Sequence, residues 1–447
     1  MTIRLPFPSR LLGVLVLLGF WGLFSALPIT DGQAWAQQSV TFRVIFVKEE
    51  DEAHRLFSRL RAGEPFWKLA IDYSQYPNAG LGGYVEEARL DELREEFREV
   101  LRRLPPGEVS PPIPTRGGYA ILKRESPRRL KSAWVQAEGL FLQALRAGAQ
   151  GDLPRARRLL SKVLSVYPNH RGALLTLEVV RALEAGRLKR SIGLEVLEGF
   201  LLAKEGFPRK ALEPLQKAAR GASQIGAIHL VLGEIYLENR QWGQAVAAYK
   251  KALSSPATSL LARISLGGIS LHRGNLKEAL KHYQKAVAMD PGAALAHVGL
   301  GLVYLGMGNP QEALREFRVA LAIDPLLDPA YNEMGLVLLG QGKVQEAVWA
   351  FEKALSIRPD NPTYLNHLGF AYNRWGMFTK SVKILEKAVA LAPMDPMIHN
   401  NLAVAYFDSG KIDKAIAHAD RARQLGYRVH PDFLAKLKPY RKNRPSP

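Results

Sequence analysis

The 447-residue chain contains no cysteine. That excludes disulfides, thiolate metal sites, a cysteine nucleophile and a lipidated N-terminal cysteine. Acidic residues are in deficit, with 42 Asp+Glu against 61 Lys+Arg and a net charge of +19. Such a balance can draw nucleic acid, anionic lipid or acidic polymer. Here the basic residues are spread along the chain instead of gathered in one run, so they read as a solubilising surface, and no nucleic-acid partner is expected. No apolar run long enough to span a membrane follows residue 27. What is present is ample for folding: 47% of residues are hydrophobic, which excludes a largely disordered chain. The length exceeds what one core organises, so two or more domains are expected.

The first 36 residues read as an export segment. Arg4 and Arg10 form a basic start, Leu11 to Leu27 is apolar and uncharged, and Pro28 breaks it. Ala34-Trp35-Ala36 then places small residues at the two positions a signal peptidase inspects. Cleavage after Ala36 leaves a soluble extracytoplasmic, periplasm-type chain beginning at Gln37. The alternative is an uncleaved N-terminal anchor.

Further along, one period dominates. Leu232-Gly233, Leu266-Gly267, Leu300-Gly301, Met334-Gly335, Leu368-Gly369 and Leu402-Ala403 recur every 34 residues. Thirteen residues after each come Ala245, Ala279, Ala313, Ala347, Ser381 and Ala415. Four further on stand Tyr249, Tyr283, Phe317, Phe351, Leu385 and Ala419. A seventh unit fits at Gly199, Gly206, Ala211, Leu215 and Ala218, and a degenerate one at 137–170 with Gly151, Ala156 and Pro168. Each unit reads as two antiparallel helices. Small residues sit where the helices cross, an aromatic fills the gap to the next unit, and glycines such as Gly274 end the first helix. No unit buries its face alone, so stability comes from stacking.

This register resembles the tetratricopeptide repeat. The resemblance implies an all-α superhelical solenoid whose concave groove holds proteins or unfolded peptide segments. Positions two before and two after the repeat leucine are among those that would face the groove. Asn332, Asn366 and Asn400 occupy the former in three successive units, with Asn373 and Arg374 one turn on. Such a row could hydrogen-bond the backbone of an extended peptide; the alternative is a solvated polar surface.

Residues 39–125 have a different rhythm. Thr41–Val47 reads as a strand, Glu49–Arg61 and Phe66–Tyr73 as helices, and Gly80–Gly83 as a turn. Tyr84-Val85 is a short strand, Leu90–Leu104 a helix, and Ser110–Thr115 with Tyr119–Lys123 a closing hairpin. That is a small α+β domain. Residues 126–136 read as a linker, 137–191 as degenerate repeat-like helices, 192–429 as seven repeat units, and 430–447 as a capping helix and basic tail.

The small domain resembles a parvulin-type (PpiC-like) peptidyl-prolyl isomerase. The resemblance rests on Ile45-Phe46-Val47-Lys48, Gly63-Glu64-Pro65-Phe66, Gly82-Gly83, Leu104-Pro105-Pro106-Gly107 and Gly118-Tyr119, taken in order. It implies rotation about X-Pro amides, with Leu93 and Phe97 lining the apolar proline pocket. It also implies histidines where this chain has Val44 and Ala120, and acidic or thiol groups where it has Tyr76 and Tyr84. Two readings stay open. In one, the domain binds proline-bearing segments without turning them over; in the other, Tyr76 or Tyr84 supplies a hydrogen bond and activity survives. His54 reads as a surface residue. No cofactor or metal site is expected, and Gly80-Leu81-Gly82-Gly83 does not precede a helix as a nucleotide loop would. The sequence therefore points to an adaptor or chaperone-like factor. Its alternatives are an active isomerase targeted by its repeats and a scaffold of a secretion or polysaccharide-export assembly.

Overall fold

The computed structural model describes residues 39–125, 127–166 and 170–441. The export segment 1–36, Pro168 and the tail beyond Arg441 lie outside the described residues. The chain divides into two compact units between Met307 and Gly308.

The first unit opens with a four-stranded antiparallel sheet of order β2-β1-β4-β3. Its strands are β1 (Ser39–Val47), β2 (Tyr84–Arg89), β3 (Ile113–Thr115) and β4 (Gly118–Glu125). Alternation along β1 sorts its side chains to two faces. Ile45 and Val47 pack with Ala53 and Leu56 of α1 (Glu50–Arg61) and Phe66, Leu69 and Ala70 of α2 (Phe66–Tyr73). Phe42 and Val44 pack with Ala120, Leu122 and, from α3 (Glu95–Arg103), Phe97 and Leu101.

Two boundaries differ from the sequence expectation. The helix expected over Leu90–Leu104 is split into a 3-10 turn at Leu90–Glu92, an extended Leu93-Arg94, and α3. The Leu93 carbonyl, which would accept from the Phe97 N–H in a continuous helix, instead accepts from the Arg98 guanidinium at 2.9 Å. The third strand is confined to Ile113–Thr115 because Pro111 and Pro112 offer no N–H to a ladder.

From the sheet the chain passes into helices. α4 (Pro127–Ala149) covers most of 126–136, so the segment expected as a linker is largely helical. α5 (Leu153–Val166) pairs with it, and α6 (Arg171–Glu184) follows. Then come the pairs α7 (Arg190–Lys204) with α8 (Pro208–Gly221), α9 (Gly226–Glu238) with α10 (Trp242–Ala252), and α11 (Pro256–His272) with α12 (Leu276–Met289). α13 (Ala294–Gly306) closes the unit. A Cβ on Gly233 would come within 2.6 Å of the Tyr249 ring, and one on Gly267 within 2.9 Å of Tyr283. The repeat glycine is thus fixed by the aromatic of its partner helix. Gly274 ends α11 at φ +74, a conformation that costs other residues free energy.

The second unit repeats the design. It contains α14 (Pro310–Ile323), α15 (Asp328–Gly340), α16 (Val344–Ile357), α17 (Pro362–Arg374) and α18 (Phe378–Leu391). α19 (Pro396–Asp408), α20 (Ile412–Gln424) and the terminal α21 (Pro431–Arg441) complete it. Asn361 and Asp395, 34 residues apart, each accept from two backbone N–H groups and cap α17 and α19, with proline at the next position. α21 packs on α20 and carries Leu437 into the core. Among the described residues no helix is long and apolar enough to cross a membrane.

Candidate functional site

Two surfaces carry the residues singled out in the sequence. The first is the α3 side of the sheet. β1 and β4 are in register with Phe46 opposite Ala120 and Val44 opposite Leu122, so Val44 and Ala120 share one face. Both are fully buried, among Phe42, Phe97, Leu122 and Ile113. Phe46, Tyr76 and Leu93 are half-buried at the rim of this wall. The structure therefore brings together Tyr76, Leu93 and Phe97 beside Val44 and Ala120.

Tyr84 is placed elsewhere. It pairs with Arg43, on the opposite face of β1 from Val44. The Arg43 guanidinium lies 5.5 Å from the centre of its ring, donates to Glu125 at 2.9 Å and to the Gly82 carbonyl at 3.2 Å. This buried cation with its carboxylate was not singled out from sequence, because its partner is 82 residues away. The segment 74–83 is tied to β1: Ser74 Oγ accepts from the N–H of Phe46 at 3.0 Å, and the Val44 N–H donates to the Gly83 carbonyl at 2.9 Å. Gly83 has no substitute, since its φ is +72 and a Cβ would sit 2.1 Å from the Val44 carbonyl oxygen. His54 is exposed on α1.

The second surface is formed by the first helices of the pairs in the second unit. Asn332 and Asn366 are 4% and 1% exposed, and Asn400 is half-buried. The first two are already engaged. Asn332 Oδ1 lies 2.7 Å from His367 Nδ1, and Asn366 Oδ1 accepts from Asn401 at 2.9 Å. Asn373 donates to Asp408 at 2.7 Å, while Arg374 is exposed. Each of these three bonds joins residues 35 apart, one more than the repeat, and so ties one first helix to the next. Two places after each repeat leucine stand Leu336, Phe370 and Val404, all half-exposed. All of this apolar row meets solvent, whereas in the amide row only Asn400 does. The signal for it was in the sequence, at the second of the two positions expected to face inward.

Electrostatics tighten the same unit. Buried Asp328 on α15 accepts from Tyr364 at 2.8 Å and pairs with Arg358 at 3.1 Å. Burial raises its pKa, opposed by Arg358. Tyr372 and Tyr406, again 34 apart, donate to Glu352 and Glu386 across successive helices.

Comparison with known proteins agrees with this architecture. Residues 192–432 match the family described as the cilia and flagella-associated protein 70 C-terminal domain, a tetratricopeptide-repeat family. The chain belongs to this repeat family. Residues 47–126 match the PPIC-type PPIase domain, so a parvulin-type domain precedes the repeats. That domain is similar to the foldase protein PrsA of Geobacillus kaustophilus, 39% identical over 89 residues, covering 20% of this chain and 32% of that protein. It is also similar to the chaperone SurA of Pseudomonas savastanoi, 34% identical over 103 residues, covering 21% and 24%. The chain thus spans 24% to 32% of the length of these relatives. Among solved structures, a tetratricopeptide repeat protein from Parabacteroides merdae aligns at 17% identity and TM-score 0.43, over 57% of this chain and all of that one.

Proposed function

We propose that this protein is an exported, chaperone-like adaptor. Its parvulin-type domain holds proline-bearing or unfolded segments without turning them over, and its repeats dock a partner or a longer stretch of the client. The observation that carries the reading is the wall at Val44 and Ala120, fully buried and apolar where the resemblance implies histidines. The X-Pro barrier is ~18–20 kcal/mol, and lowering it requires groups that favour the twisted amide over both ground states. An apolar wall binds cis and trans proline alike, which gives affinity without rate. The names of the relatives, a foldase and a chaperone, support client binding.

The test is a pair of measurements on the full-length protein. It should bind a proline-containing peptide, more weakly after Phe97→Ala, yet leave the peptide's isomerisation rate near its uncatalysed value. Clear acceleration, abolished by Tyr76→Phe, would make the protein an enzyme and sink the reading. On the repeats, the apolar row should carry docking. Phe370→Ala is expected to weaken partner binding about ten-fold, the order of one buried aromatic contact.

A further inference from the structure

α6 stands outside the pairing that organises its unit. α4/α5, α7/α8, α9/α10 and α11/α12 are antiparallel pairs, and α6 has no such partner. The stack does not need it for continuity, because α4 packs directly on α7. Gly148 of α4 marks the approach: a Cβ there would lie 3.1 Å from Leu197 of α7.

α6 packs on α5 and α4, and from there reaches across α7, α9 and α11, the first helices of three successive pairs. It therefore covers the face that the repeat register assigns to ligands. The consequence is visible on α9, where every residue from Gly226 to Leu237 is buried, Glu234 included. Glu234 stands two places after the repeat leucine, where the second unit has half-exposed Leu336, Phe370 and Val404.

α6 is held as a bound helix would be. Ala173, Leu175, Leu177, Val179, Val180 and Ala182 give α6 a broad buried side, and Leu174, Arg181 and Glu184 are exposed on the other. Arg171 donates to Glu234 on α9, and Glu178 accepts from Ser255, the residue just before α11, at 3.1 Å. Leu183 rests where a side chain at Gly193 of α7 would be, with 2.2 Å to a Cβ built there. The second carboxylate oxygen of Glu178 is buried with no protein partner among the described residues. An exposed turn at Ala185-Gly186-Arg187, with Gly186 at φ +67, joins α6 to α7.

We propose that α6 is an intramolecular ligand for the face of α7, α9 and α11, and that this face docks an amphipathic helix of a partner in competition with α6. The partner helix carries an arginine four residues ahead of an apolar stripe, as Arg171 precedes Leu175, with the arginine read by Glu234. The inference rests on α6 alone and stands or falls independently of the isomerase-like domain.

The probe is a fluorescent peptide of residues 170–187 added to the full-length protein. Arg171→Glu sets two carboxylates against each other and frees the face. It should bind the peptide about ten-fold more tightly than the unaltered protein, the order of one charge-assisted bond. Adding Glu234→Arg should remove the gain, because the swapped pair holds α6 closed again and the face repels the peptide's own arginine. In the unaltered protein, α6 amides should exchange with solvent ahead of those of α7 and α9, and faster still with peptide in excess. Equal binding by all three proteins would overturn the proposal. So would α6 exchange in step with α7 and α9, a measurement that decides the matter even if Arg171→Glu fails to fold.

Discussion

In the first unit the residues two places after the repeat leucine, Glu234, Gly268 and Leu302, are buried, whereas in the second unit Leu336, Phe370 and Val404 keep part of their surface. Two places before the leucine the chemistry also changes, from Leu230, Ile264 and Val298 to Asn332, Asn366 and Asn400. The frame is the same, yet the two faces do different things. Over α9 and α11, the inner positions belong to a core closed by α6. In the second unit, Asn332 and Asn366 before the leucine join neighbouring helices by hydrogen bonds of their amides, and the position after it stays partly exposed. A repeat frame therefore specifies where a side chain sits along its helix, and the surroundings decide whether it is core, clamp or binding surface.

The contrast predicts unequal costs for equal chemistry. Leu230→Ala, on the covered face, should lower stability by ~2–5 kcal/mol, as for a fully buried leucine. Leu336→Ala, on the open face, should cost less than ~1.5 kcal/mol, because less apolar surface is lost. Urea unfolding of the two variants checks this, and equal losses would erase the distinction. Next in size, Asn366→Ala should cost ~1–3 kcal/mol, since it leaves the Asn401 amide without its acceptor. The change at half-buried Asn400 should cost less. If Asn366→Ala weakens partner binding and leaves the unfolding midpoint unmoved, the amide row is a ligand surface after all.

The smallest effect concerns pH, and it should be alike in both units. Burial lowers the pKa of His229 on α9, helped by Lys251 and opposed by the carbonyl of Ser223, 2.9 Å from Nε2. Burial likewise lowers that of His418 on α20, helped by His399 and Lys414 and opposed by Glu386. A histidine depressed in the fold takes up its proton more readily when unfolded. Its contribution is therefore intact above the unfolded pKa and is lost as the pH falls through it. Between about pH 7.5 and 5, His229→Gln and His418→Gln should each lose less stability than the unaltered protein. A variant that loses as much as the unaltered protein removes that histidine from the account.

The frame itself was legible to the residue. Glycine and alanine at 34-residue spacing have one use, the close crossing of two helices, and Gly233 against Tyr249 shows why no other residue fits. The small domain was legible in order of elements, because Ile45 and Val47 alternate with Val44 and Phe46 between two cores. Tyr84 could not be placed from sequence. Whether it faced Val44 or Arg43 depended on the register of β2 against β1, and one residue of slip exchanges the faces. α6 escaped for a similar reason. Its period is helical, and nothing local distinguishes a helix that pairs with its neighbour from one that lies across the next three pairs.

By itself, then, the sequence determined the local conformations and the period, since these depend on residues within a few turns of one another. It also determined what the Val44 and Ala120 positions cannot do, because neither side chain has a donor whatever surrounds it. Only the tertiary structure decided which face of β1 each tyrosine meets and that Asn332 and Asn366 spend their amides on the next repeat. It alone decided, too, that Arg171 finds Glu234 63 residues away. Those contacts join segments remote in the chain, and no local propensity carries information about a partner that arrives only when the chain folds back on itself.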